Sequence, residues 1–144
     1  MKLEYYKMHP NVKDPIFTTD GSACFDISAN IEPDISITVY RMSNFKVKLK
    51  PEWYDKEKGP KIRFRVAPAD RVLIPTGLIF NIPDGHSVRL HTRSSISLKK
   101  GLIMPNGEGI IDSDYYHQTF VMLYNASADA VSYTHLRAHE TDSY

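Results

Sequence analysis

Cysteine is nearly absent from this chain: Cys24 is the single one among 144 residues. One thiol cannot close an intrachain disulfide, which points to a reducing, cytoplasmic setting. Long apolar runs are missing too; no stretch approaches the roughly 18 residues of a membrane span. Met1-Lys2-Leu3-Glu4-Tyr5 opens the sequence without the apolar segment of a secretory leader. Nor is there an excess of either charge. Lys and Arg number 18 against 17 Asp and Glu, for a net +1, so nothing global draws the chain to nucleic acid or to lipid headgroups. Phosphate-cradling P-loops, Ser-His-Asp sets, Cys-x-x-Cys pairs and internal repeats are all lacking. His135 and His139 stand four apart beside Glu140, but the metalloprotease order His-Glu-x-x-His is not there and no third zinc ligand is evident.

What the chain does contain is short alternation. Ile35–Tyr40, Phe45–Lys50 and Ile62–Val66 alternate apolar with polar residues, the period of half-buried strands. β-rich runs follow at Val72–Ile74, Leu78–Ile82, Ser87–His91 and Phe120–Tyr124, punctuated by Pro75, Gly77, Pro83-Asp84-Gly85 and Pro105-Asn106-Gly107. Many short strands at turn-spaced intervals, with no helix longer than two turns, predict an all-β sandwich or jelly roll. One segment departs from the rest: residues 41–71 concentrate Lys and Arg, and predict a basic hairpin whose loop is Pro51–Pro60. Its alternating cations suit the solvent face of an edge pair better than a nucleic-acid patch.

Three short motifs carry chemistry. Gly109-Ile110-Ile111-Asp112-Ser113-Asp114-Tyr115 predicts a tight hairpin presenting carboxylates, an aromatic plate and bare backbone. A carboxylate so placed can activate a water, although Asp112 and Asp114 are equally at home as turn residues bonding their own backbone. Tyr115 can stack on a ligand or serve the core, and Asn106 can contact a ligand or simply precede Gly107 in a turn. Upstream, Arg93-Ser94-Ser95 offers a fork of donors and hydroxyls suited to phosphate, or a polar strand end. Near the start, Ser22-Ala23-Cys24-Phe25-Asp26-Ile27 brings a carboxylate that is either a loop acid or a cation partner.

In this order the three motifs resemble the first three of the dUTPase family, from about Phe17 to Val131. The resemblance implies a jelly-roll-like dUTPase fold over residues 1–131, with the basic hairpin about 41–71 as an insertion. It implies hydrolysis of dUTP to dUMP and pyrophosphate by a homotrimer whose active sites are shared between subunits. Asp112 would be the general base. Tyr115 would exclude a ribose 2′-hydroxyl, and Asn106 with the backbone after it, Gly109 and Ile111 included, would read uracil. Ser94 and Ser95 would hold phosphates, with Arg93 at substrate or at the subunit interface. Asp26 would hold Mg²⁺ through water. Cys24 replaces the family's usual glycine, which costs strain if the position needs positive φ. The tail 132–144 shows no strand alternation, lacks the family's last two motifs, and is expected to be a foreign or disordered segment. A related enzyme, dCTP deaminase, would need a glutamate at or near Met122; a non-catalytic nucleotide-binding module is a further reading.

Overall fold

The computed structural model describes residues 1–54, 61–134 and 139–143. The alternating runs become strands, all paired antiparallel. A five-stranded sheet runs β10 (Leu102–Ile103), β12 (Phe120–Asn125), β7 (Arg71–Pro75), β3 (Ile37–Tyr40), β4 (Lys46–Leu49). A four-stranded sheet runs β11 (Gly109–Asp112), β9 (Ser87–Thr92), β14 (His139–Ser143), β2 (Phe25–Ile27). A three-stranded sheet, β13 (Val131–Thr134), β6 (Lys61–Val66), β5 (Glu52–Tyr54), and the pair β1 (Glu4–Lys7) with β8 (Leu78–Asn81) complete the set. One helix is present among the described residues, α1 (Ser94–Lys100), about two turns long and closed by Gly101 at φ 68°.

Alternation decides what is inside. Val39, Val72, Ile74, Val121 and Leu123 from the five-stranded sheet join Ile27, Val88, Leu90 and Ile111 from the four-stranded one in a single buried cluster. Each such side chain, fully removed from water, contributes roughly 1.5–3 kcal/mol before entropy is counted. The jelly-roll-like, all-β expectation therefore holds.

The basic segment is organised differently from a single hairpin. Lys46–Leu49 turns back onto β3, through a tight loop in which the Asn44 N–H donates to the Arg41 carbonyl (2.8 Å) and Asn44 takes φ 65°. Pro51 then ends that strand, since proline cannot donate to a ladder. Glu52–Tyr54 forms a separate hairpin with β6, whose turn lies in residues 55–60, outside the described set. Arg63 is used internally: its Nε is 2.8 Å from Glu52 and its guanidinium lies 4.9 Å from the centroid of the Tyr54 ring.

The tail also differs from the expectation of a strandless segment. Residues 131–134 pair with β6, and residues 139–143 lie between β9 and β2, bonded to both. Main-chain ladders on two flanks accept a strand whatever its side-chain pattern, so the missing alternation was no barrier. Of the His135/His139 pair, His135 lies outside the described residues and His139 stands on a strand rather than a helix. Cys24 is free of the strain considered above, because Asn44 and Ala69 are the non-glycine residues with positive φ among the described ones.

The first strand is tied to the following loop by Asp14, which accepts from the Tyr5 hydroxyl (2.8 Å) and sits 3.2 Å from Lys7 Nζ. The Tyr5 hydrogen bond, then Lys7, holds the Asp14 carboxyl below the ordinary carboxylate range. A depressed folded value means the tie is fully present above the unfolded value near 3.8 and is lost as pH falls through the lower one. NMR titration should find the Asp14 carboxyl below the ordinary carboxylate range, with the depression abolished in the double variant Tyr5→Phe, Lys7→Gln.

Candidate active site

Strand β11 carries Asp112 as its last residue, opposite Ser87 on β9. Beyond it the chain turns, the Tyr115 N–H donating to the Asp112 carbonyl at 3.1 Å. On the near side the Gly107 N–H donates to the Met104 carbonyl (2.9 Å) and Gly107 takes φ 74°, a left-handed corner that glycine adopts without penalty. Asn106 itself is not left-handed, so that turn does not depend on it. Glu108 fastens the hairpin to β9, 3.6 Å from Arg89 Nε and 3.3 Å from His91 Nε2.

These turns enclose a cavity of about 300 Å³. Asn106, Gly109, Ile111, Asp112 and Tyr115 all line it. Gly109 matters there for space rather than for φ: a Cβ would stand 3.0 Å from Met104 Cε and 3.3 Å from Leu90, tight enough that these neighbours would have to shift. The remaining wall is apolar and includes Leu73, Phe120 and Met122. Sequence reading missed these three, yet the signal was present: a strand through Val121 and Leu123 inward must turn 120 and 122 outward, onto the hairpin. Met122 also bears on deamination, because the position that would need a glutamate presents a thioether to the cavity, and a thioether cannot carry a proton. Asp114, exposed, does not line it.

A second group forms elsewhere. Arg93 precedes α1 in extended conformation (φ −66°, ψ 145°) and its Nη1 is 3.6 Å from Asp26 Oδ2. Ser94 and Ser95, both exposed, are the first two residues of the helix rather than a strand end, so their amides have no intrahelical acceptor. Asp26 Oδ2 also accepts from Thr18 Oγ1 at 2.5 Å. Both contacts fall on one oxygen, leaving Oδ1 without a partner among the described residues.

The two groups stand well apart. Asp112 is paired with Ser87, and Arg93 lies six residues further on, just past the end of β9, about 20 Å at the strand rise. β11 and β2 are the opposite edges of their sheet. Five expected residues thus share one cavity, while Asp26, Arg93, Ser94 and Ser95 form a separate cluster.

The fold matches a solved dUTPase from Streptococcus mutans with TM-score 0.69 at 21 % identity, covering 100 % of this chain and 94 % of that one. It also matches a point mutant of the dUTPase of phage phi11 of S. aureus, described as coordinating a structural Mg(II) ion. There the TM-score is 0.69 at 14 % identity, over 100 % of this chain and 90 % of the other. The dUTPase family model matches residues 61–137. The deoxyuridine 5′-triphosphate nucleotidohydrolase of Dinoroseobacter shibae is 33 % identical over 121 residues, 84 % of this chain and 63 % of that protein. The Aquifex aeolicus enzyme of the same name is 43 % identical over 67 residues, 46 % of this chain and 45 % of that one. The chain belongs to the dUTPase family. It spans less than two thirds of the length of these curated relatives. Among its described residues no helix is long and apolar enough to cross a membrane.

Proposed function

We propose that this chain hydrolyses dUTP to dUMP and pyrophosphate. The observation that carries the reading is the convergence of Asn106, Gly109, Ile111, Asp112 and Tyr115 on one cavity, largely apolar and edged by a single carboxylate. Bare backbone at Gly109 and the Asn106 segment suit a pyrimidine edge. The Tyr115 ring beside them leaves no space for a 2′-hydroxyl, and Asp112 stands at the rim, where the phosphates would begin.

Asp112 accepts a proton from a water as that water attacks the α-phosphorus in line. The new oxygen–phosphorus bond forms as the bond to the α,β-bridging oxygen breaks. Pyrophosphate departs with the electron pair, and the proton rests on the Asp112 carboxyl. The phosphates lie against Ser94, Ser95 and Arg93, whose donors oppose their charge. Since those residues stand just past the end of β9, about 20 Å from Asp112, one chain does not complete the site. A homotrimer, with Asp26, Arg93 and Ser94 of one subunit facing the Asp112 cavity of the next, does so.

The Asp26 group fits a magnesium ion held through water. It offers one carboxylate with an unpartnered oxygen, and a metal that keeps most of its water shell asks for no more. Among the described residues no group of three or more His, Cys, Asp or Glu provides a fuller protein cage. When bound there, the ion would neutralise triphosphate charge.

Pyrophosphate release from dUTP, with dCTP, dTTP and UTP alongside and Mg²⁺ present, tests the reading. Turnover of dUTP alone supports it. Ammonia from dCTP would transfer the chain to the deaminases, and a folded protein that neither binds nor hydrolyses dUTP would refute it.

A further inference from the structure

We infer that Gln118 is a positioning residue, and that through Tyr115 it sets how strongly the site rejects ribonucleotides. The inference rests on the dUTP reading above and extends it to a residue outside the three motifs.

Tyr115 does not use its hydroxyl in the cavity. That hydroxyl donates to the main-chain carbonyl of Gln118 at 2.8 Å, bending residues 115–118 into a closed loop. The edge of the ring meets the His117 imidazole, centroids 5.6 Å apart and planes at 72°. So the ring's pose is fixed by wherever residue 118 is held. An aromatic plate that selects by steric exclusion has nothing else to rely on: displaced by an ångström, it admits the extra oxygen.

Residue 118 is held by its own side chain. Gln118 Oε1 accepts the Gly77 N–H at 2.8 Å. Gly77 lies in the corner between β7 and β8, which belong to different sheets. Its amide is therefore not taken up in a ladder, and an acceptor must come from elsewhere. The corner itself is rigid. Gly77 takes φ 70°, its carbonyl accepts the Met8 N–H (2.9 Å), and Val12 and Asn30 close over it. One residue further, the Thr119 carbonyl accepts both from Thr76 Oγ1 (2.7 Å) and from the Thr76 N–H (3.3 Å), and the Thr119 N–H donates to Leu78 (2.8 Å). Thr76 and Thr119 are 0 % and 1 % exposed. The path is contiguous: core corner, Gln118 amide, Gln118 carbonyl, Tyr115 hydroxyl, ring.

Two replacements separate this role from general packing. Gln118→Met keeps length and volume but removes the acceptor; Gln118→Glu keeps an acceptor oxygen. The ratio of kcat/KM for dUTP to that for UTP is expected to fall about ten- to a hundredfold in Gln118→Met, the scale on which ångström misplacements register. It should be retained within a few-fold in Gln118→Glu. Tyr115→Phe, which keeps the ring and cuts the hydroxyl tie, should lower the same ratio. Because both act on one path, the double variant should lose little more than the worse single, a non-additivity that independent sites do not show.

Equal loss in the Met and Glu variants, an unchanged ratio in Gln118→Met, or full additivity with Tyr115→Phe would overturn the inference. The same series read by binding of non-hydrolysable imido analogues of dUTP and UTP separates the two levels. A wild-type chain that binds neither analogue sinks the dUTP reading and this inference with it. A wild-type chain that discriminates, beside a Gln118→Met that discriminates equally, sinks only this one.

Discussion

Asp112→Asn is expected to lower kcat for dUTP by about 10²- to 10⁴-fold, the range over which a positioned general base acts. Asparagine has the same shape and cannot take the proton from water. Asp112 is exposed at the end of β11 and makes its paired contacts through its backbone. Stability should therefore stay within about 0.5 kcal/mol, as for surface changes generally, and KM should move only a few-fold. Asp114→Asn is the internal control, since Asp114 does not line the cavity, and should leave turnover close to wild type. Stopped-flow pyrophosphate release with parallel thermal melts measures both. Full activity in Asp112→Asn would remove the base from the mechanism, and equal damage from the two variants would reduce both residues to turn formers.

Gly77→Ala has the largest expected effect on stability. Its added Cβ would stand 2.4 Å from Val12 Cγ2 and 3.2 Å from Asn30 Oδ1, at φ 70°. A left-handed alanine costs about 1–2 kcal/mol, and overpacking adds about 1–3 kcal/mol. A loss of about 2–5 kcal/mol is a large part of a margin near 5–15 kcal/mol, and should lower Tm by roughly 6–20 °C. Gly85→Ala isolates the conformational part, because Gly85 has φ 79° and nothing within 4 Å of the added carbon. It should cost only about 1–2 kcal/mol. Differential scanning calorimetry on the pair decides: equal losses would mean that Val12 yields and that the corner is not close-packed.

Strands were legible wherever polarity alternates. Ile37–Tyr40, Lys46–Leu49 and Lys61–Val66 all fall within or against runs whose period is visible in the sequence, while Phe120–Asn125 was marked by β-rich composition alone. So was the cavity group around Asp112, because those residues are close together in the chain and turn chemistry marks them. Three features were harder to see, each for a physical reason. The basic segment split in two because the Asn44 turn and Pro51 act within a few residues, whereas charge composition averages over the whole segment. Residues 139–143 took a place between two strands through main-chain bonding, to which side-chain alternation is no guide. Gln118 escaped notice because its partner, Gly77, is forty-one residues away, and a glutamine answering a lone amide leaves no local pattern. The separation of Asp26 and Arg93 from Asp112 likewise follows from sheet order, not from the motifs themselves.

The corner at Gly77 also bears on when the site comes into being. Residues 8–12, Asn30, the 76–78 turn and 118–119 converge there from four distant parts of the chain. Each closure is entropically costly until the others are made, so the Tyr115 ring is expected to be held in place only once the core around Gly77 has formed. The recognition surface is thus assembled together with the core and dismantled with it. Exchange of the Gly77 amide with solvent should follow the opening of the whole domain rather than breathing of the hairpin. On the dUTP reading proposed above, selectivity becomes a property of cooperative folding as much as of the residues placed against the sugar.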